Sequence, residues 1–92
     1  MDQLVIALTI YSRQGCHLCS EMKIAVERAI RGLAVSARIE MVNIANDAEL
    51  EARYGLEIPV LLVNGTKVAK YRVTEEELTR ILKARTGEAG KG

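Results

Sequence analysis

A chain of 92 residues, 49% hydrophobic and 27% charged, is long enough to bury the core of one domain without a metal or disulfide staple. Thirteen Lys and Arg against twelve Asp and Glu leave a formal net charge of +1. That balance gives no electrostatic case for a nucleic acid or an anionic membrane as partner.

Residues 4–11 (LVIALTIY) form an uncharged aliphatic run, far short of the roughly 20 residues a membrane helix needs, and predict a central strand covered on both faces. Residues 16–31 predict a helix. Met22, Ala25, Val26, Ala29, Ile30 and Leu33 recur along one stripe, and Gly32 reads as its stop. Residues 38–45 (RIEMVNIA) read as a second strand, with Met41 and the helical Met22 assigned to the core. Asn46 followed by Glu49 reads as a cap and opens a short helix to Tyr54, ended by Gly55. Residues 59–63 (PVLLV) are a third strand. Asn64-Gly65 is a tight hairpin turn, and residues 66–72 return as a fourth strand whose Lys67, Lys70 and Arg72 mark an edge. Thr74 and Glu77 make a capping box for a last helix carrying Leu78, Ile81 and Leu82. Arg80, Lys83 and Arg85 read as its solvated face, and residues 87–92 (GEAGKG) as a flexible tail.

The order β-α-β-α-β-β-α makes this an α/β protein. One domain, residues 1–86, holds a four-stranded mixed sheet with helices on both faces. The helix between the first two strands requires them to be parallel with a right-handed crossover.

The only two cysteines, Cys16 and Cys19, stand two residues apart at the predicted start of the first helix. No basic export signal precedes the first strand, so the default compartment is the reducing cytoplasm. A close cysteine pair there is catalytic or metal-binding rather than a permanent staple. Three helical residues rise about 4.5 Å and return to within about 60° of the same face, so the two Cα atoms lie within disulfide range. The attacking species in thiol chemistry is the thiolate, and an ordinary cysteine is only about 3% ionised at pH 7. Two features favour the anion at Cys16: the helix N-terminus, and Arg13 three residues earlier with no carboxylate in the loop before Glu21. These predict Cys16 as nucleophile and Cys19, one turn in, as resolving thiol. His17 either lends imidazolium charge or is an exposed bystander, since adjacent helical residues do not face one another. Leu18 is either an apolar rim for a partner or a packing residue.

Pro59, the only proline, opens the third strand. The strand-CHLC-helix unit, Tyr54-Gly55-Leu56-Glu57-Ile58-Pro59-Val60 and the hairpin Val63-Asn64-Gly65-Thr66 together resemble the thioredoxin superfamily, and more narrowly a small glutaredoxin-like protein, over residues 4–85. The resemblance implies a thioredoxin-like fold with a cis proline against the cysteine pair. It implies that Ile58 offers its backbone N–H and C=O to a substrate in strand-like pairing. It puts Arg13 where glutaredoxins carry a lysine, and Thr74 where a hydroxyl helps hold a glutathione carboxylate. The implied activity is thiol–disulfide oxidoreduction, with roles in electron transfer and cell redox homeostasis. Substrate contacts fall to Arg13, His17, Leu18, Ile58, Pro59 and Thr74.

The pattern departs from glutaredoxins at two places. The cysteines enclose His-Leu rather than Pro-Tyr. Where glutaredoxins carry Gly-Gly-Ser/Thr-Asp, this chain has Tyr71-Arg72-Val73-Thr74-Glu75, which predicts weak coupling to glutathione. The expected protein is a monomer with no resident cofactor or metal. It acts on protein or small-molecule disulfides and is re-reduced by a thioredoxin-type reductase, or by glutathione as co-substrate. The alternative is a CxxC module binding copper, zinc or an iron–sulfur cluster, as in a metallochaperone. Two thiolates alone do not close a tetrahedral zinc site, and the element order is not βαββαβ.

Overall fold

The computed structural model describes residues 5–91, with side chains described as far as Arg85. The elements are β1 (Ile6–Ser12), α1 (His17–Leu33), β2 (Ala37–Asn43), a 3-10 turn (Ile44–Asn46), α2 (Ala48–Tyr54), β3 (Val60–Val63), β4 (Thr66–Lys70) and α3 (Glu75–Lys91). The strands form one sheet in the order β2-β1-β3-β4. β1 pairs parallel to β2 and antiparallel to β3, and β3 pairs antiparallel to β4. This is the α/β, mixed four-stranded arrangement that the element order requires. Among the described residues no helix is long and apolar enough to cross a membrane.

Strand alternation builds the core. Ile6, Leu8 and Ile10 of β1, with Leu61 and Val63 of β3, point to one face. There they meet Met22, Val26 and Ala29 of α1, and Leu78 and Leu82 of α3. On the opposite face Tyr11 stacks on Tyr54 of α2, with ring centroids 4.9 Å apart. Helices therefore flank both faces, but α2 has only 7 residues and covers one end. Ala7 is exposed and Val5 is 52% exposed, so β1 is central without being covered throughout on both sides. β3 is the strand buried at every position.

Several boundaries differ from the sequence reading, each for a local reason. Gly32 does not stop α1. Leu33 packs against the core and holds one more residue in the helix. Ala34 then takes the left-handed conformation (φ 55), its N–H bonded to Ile30 O at 2.9 Å and Arg31 O at 3.3 Å. β2 ends at Asn43, whose Oδ1 accepts from Ala45 N at 2.9 Å and caps a separate 3-10 turn. That turn takes up Asn46, so the α2 cap is Asp47, accepting from Glu49 N and Leu50 N. Met41 is not core: β2 is an edge strand, and the side chain is 38% exposed there.

At the hairpin, Asn64 (φ 51) and Gly65 (φ 87) both adopt the positive φ of a tight primed turn. β4 stops at Lys70 because Tyr71 (φ 67) leaves the extended region. The capping box forms as read: Thr74 N donates to Glu77 Oε1, and Glu77 N to Thr74 Oγ1, both at 3.0 Å. Backbone helix continues through most of the segment expected as a tail, to Lys91, and Gly92 lies outside the described residues.

Candidate active site

The sheet brings two chain segments to one end. Tyr11 lies opposite Val60 in the antiparallel β1–β3 ladder. The chain leaving β1 toward Cys16 and the chain entering β3 through Ile58 and Pro59 therefore meet beyond the same edge. The first segment turns tightly, with Cys16 N donating to Arg13 O at 3.2 Å and Gly15 at φ 78.

Cys16 is the N-cap of α1. Its backbone is extended, its Sγ accepts from Cys19 N at 3.1 Å, and the first turn of the helix carries no acidic residue. A sulfur in this position takes the place of a capping oxygen. It sits where unpaired amides and the helix dipole favour negative charge. Cys16 and Cys19 are joined as a disulfide with Cα atoms 5.2 Å apart, so the spacing permits the bond as expected. Cys19 is only 2% exposed, whereas Cys16 is half-buried and reachable.

The remaining candidate residues divide into those at the dithiol and those occupied elsewhere. His17 is the first helical residue and is exposed. Leu18 is half-buried and lines a small cleft of ≈ 160 Å³ with Glu21, Tyr71, Arg72, Val73 and Thr74. Ile58 joins Pro59 through a cis peptide. Neither backbone polar group of Ile58 has a hydrogen-bond partner among the described residues. Thr74 reaches the cleft, but its hydroxyl is engaged with Glu77. Arg13 does not stand as the free cation its loop suggested: its Nη2 is paired with Glu51 Oε1 from α2.

Three residues escaped the sequence reading. Glu51 is separated from Arg13 by 38 positions, and no local pattern links them. Tyr71 ties the segment after β4 to the cis-proline loop. Its N–H donates to Pro59 O at 2.8 Å, and its hydroxyl donates to Leu56 O at 3.1 Å. Leu56 is 93% exposed, an apolar side chain presented beside the cis-proline loop. That loop is also tied to β4. The Lys67 ammonium, hydrogen-bonded to Glu57 at 2.9 Å, holds the Glu57 carboxyl below the usual carboxylate range, and Lys70 adds to this from 3.7 Å.

Residues 7–83 match the family described as "Glutaredoxin-like domain (DUF836)". The chain belongs to this glutaredoxin-like family. Among solved structures, this glutaredoxin-like chain is similar to protein XcR50 of X. campestris, at 35% identity and a TM-score of 0.71, covering 84% of this chain and 96% of that one. It is similar to protein Ne2328 of Nitrosomonas europaea at 25% identity and a TM-score of 0.71, covering 88% and 98%. Thioredoxin-2 of the malaria parasite, at 15% identity and a TM-score of 0.61 over 87% of this chain and 82% of that one, shares the fold. The comparison with curated proteins gives no significant match. A thioredoxin-like fold with a joined CxxC pair at the start of its first helix supports a redox-type function for this glutaredoxin-like domain.

Proposed function

We propose that this protein is a dithiol–disulfide oxidoreductase that reduces disulfides of protein substrates. The observation that carries the reading is the position of Cys16: an accessible sulfur capping a helix N-terminus, with the buried Cys19 within bonding distance behind it. In the reduced protein the Cys16 thiolate attacks one sulfur of a substrate disulfide. The substrate S–S bond breaks, its other sulfur leaves as a thiolate and takes up a proton, and Cys16 is joined to substrate in a mixed disulfide. Cys19 loses its proton and attacks Cys16 Sγ, releasing the second substrate thiol. Two electrons have passed to the substrate, and the protein is left as the Cys16–Cys19 disulfide. Ile58 offers its free amide and carbonyl to an extended substrate segment. Leu18 and the exposed Leu56 supply apolar surface for the substrate, while Pro59, fully buried, shapes the loop that carries Ile58. His17 borders the same opening.

An external two-electron donor must restore the dithiol, and the reducing cytoplasm is the compartment that suits the cycle. A thioredoxin-type reductase fits better than glutathione for three reasons. The α3 N-terminus, where a glutathione carboxylate would bind, carries Glu75, Glu76 and Glu77 in its first turn. Glu21 lines the adjoining cleft. The Arg13 charge is already taken by Glu51. A metal-binding role would need donors besides the two sulfurs, and among the described residues no group of three or more His, Cys, Asp or Glu gathers to hold an ion.

The test is to follow re-reduction of the oxidised protein by glutathione and, separately, by a thioredoxin-type reductase, with a disulfide-bearing protein as final acceptor. Loss of one charge-assisted contact costs roughly tenfold or more in affinity. Glutathione is therefore expected to be the slower donor by at least that factor. Efficient glutathione-linked turnover would overturn the choice of reductant, and no turnover with either donor would overturn the activity.

A further inference from the structure

We propose that Glu51 is a positioning residue for the dithiol: it holds the Arg13 guanidinium and offsets its charge in the loop that leads to Cys16. The proposal rests on the reading of Cys16 as the attacking thiolate. Arg13 and Cys16 close one backbone turn, with Cys16 N bonded to Arg13 O, so the residue that carries the guanidinium belongs to the same tight loop as the nucleophile. Its partner comes from another element, α2, on the far face of the sheet.

The pairing is built into the packing. Arg13 Nε is buried without a partner, so this part of the guanidinium is not solvated. The two side chains are 40% and 35% exposed. Gly55, which ends α2, leaves the space they need. A Cβ there would lie 2.8 Å from Glu51 Oε1, 3.0 Å from Arg13 Nη2 and 2.5 Å from the Glu51 carbonyl oxygen. Four residues beyond Gly55 the chain reaches cis Pro59. One ion pair thus ties the loop that carries Cys16 to the helix end from which the cis-proline loop starts.

Electrostatics gives the pair a signature that a purely mechanical clasp lacks. A neighbouring cation and anion largely cancel at a third site, so Cys16 feels little net field from them. Removing the anion leaves a cation near the thiolate, and removing the cation leaves an anion. The rest of the surroundings is the same in every variant: the α1 N-terminus, with His17 and Glu21 in its first turns, and Arg72 across the cleft that Leu18 and Glu21 line.

The experiment measures alkylation of reduced protein by iodoacetamide against pH, in a Cys19→Ser background so that only Cys16 reacts. Glu51→Gln keeps an oxygen for Arg13 and should move the midpoint to lower pH, raising the thiolate fraction on the acid side about two- to threefold. Arg13→Gln should lower that fraction by a similar factor. The double variant should return to the parent profile, as should Glu51→Asp. Single variants that shift in the same direction, or not at all, would overturn the proposal. Should the parent itself react like a simple thiol, it is the oxidoreductase reading that fails, whatever the variants do.

Discussion

Cys16→Ser is expected to abolish disulfide reduction, lowering turnover by about a thousandfold or more, because a serine hydroxyl is not ionised at neutral pH and cannot replace the thiolate. Cys19→Ser is expected to behave differently. It keeps the accessible sulfur at the helix end but removes the group that releases substrate. The first attack proceeds, and a mixed disulfide between Cys16 and the substrate accumulates. Non-reducing electrophoresis and mass spectrometry of the trapped adduct report both outcomes. Accumulation of an adduct in Cys16→Ser and none in Cys19→Ser would reverse the two roles. The prediction follows from the asymmetry of the pair: Cys19 is 2% exposed and Cys16 is half-buried.

Leu8→Ala is expected to have the largest effect on stability. Leu8 is 1% exposed and lies in the middle of the central strand, paired with Ile39 on one side and Val63 on the other. It belongs to the cluster that joins the sheet to α1 and α3. Truncating a leucine in such a place costs about 2–5 kcal/mol, a large part of the roughly 5–15 kcal/mol that holds a small domain together. Urea denaturation should show a lower midpoint with an unchanged slope. Leu56→Ala is the matched control. Its side chain is 93% exposed, and the same truncation there should change stability by no more than about 0.5 kcal/mol.

The order of elements and the placement of the cysteine pair were legible because their signals are local. A helix stripe, a capping box, an Asn-Gly turn and a CxxC each act over a few residues, and each formed where it was read. The differences arise where a distant contact or a competing local bond decides. Gly32 is a plausible stop, yet Leu33 gains core contact by staying helical, and Ala34 takes the cap. Asn46 is a good capping residue, but Asn43 had already started a turn that included it. Met41 matches the strand pattern, and only the sheet order places its strand at an edge.

At the site the same division holds. Cys16 and Cys19 could be named from spacing, and Ile58 and Pro59 from the resemblance to a family. The partner of Arg13 could not, since Glu51 reads as an ordinary residue of a short helix until the fold brings it across. Tyr71 gave no signal either. A left-handed tyrosine is unexpected from sequence, and its bonds to Pro59 and Leu56 depend on the register of β3 with β4.

The most direct measurement is the pH dependence of alkylation at each cysteine of the reduced wild-type protein, read by mass spectrometry beside free glutathione. Cys16 should react first, with a midpoint clearly below that of glutathione, and Cys19 should lag at every pH. Equal rates at the two sulfurs, or a Cys16 midpoint no lower than that of glutathione, would contradict the account.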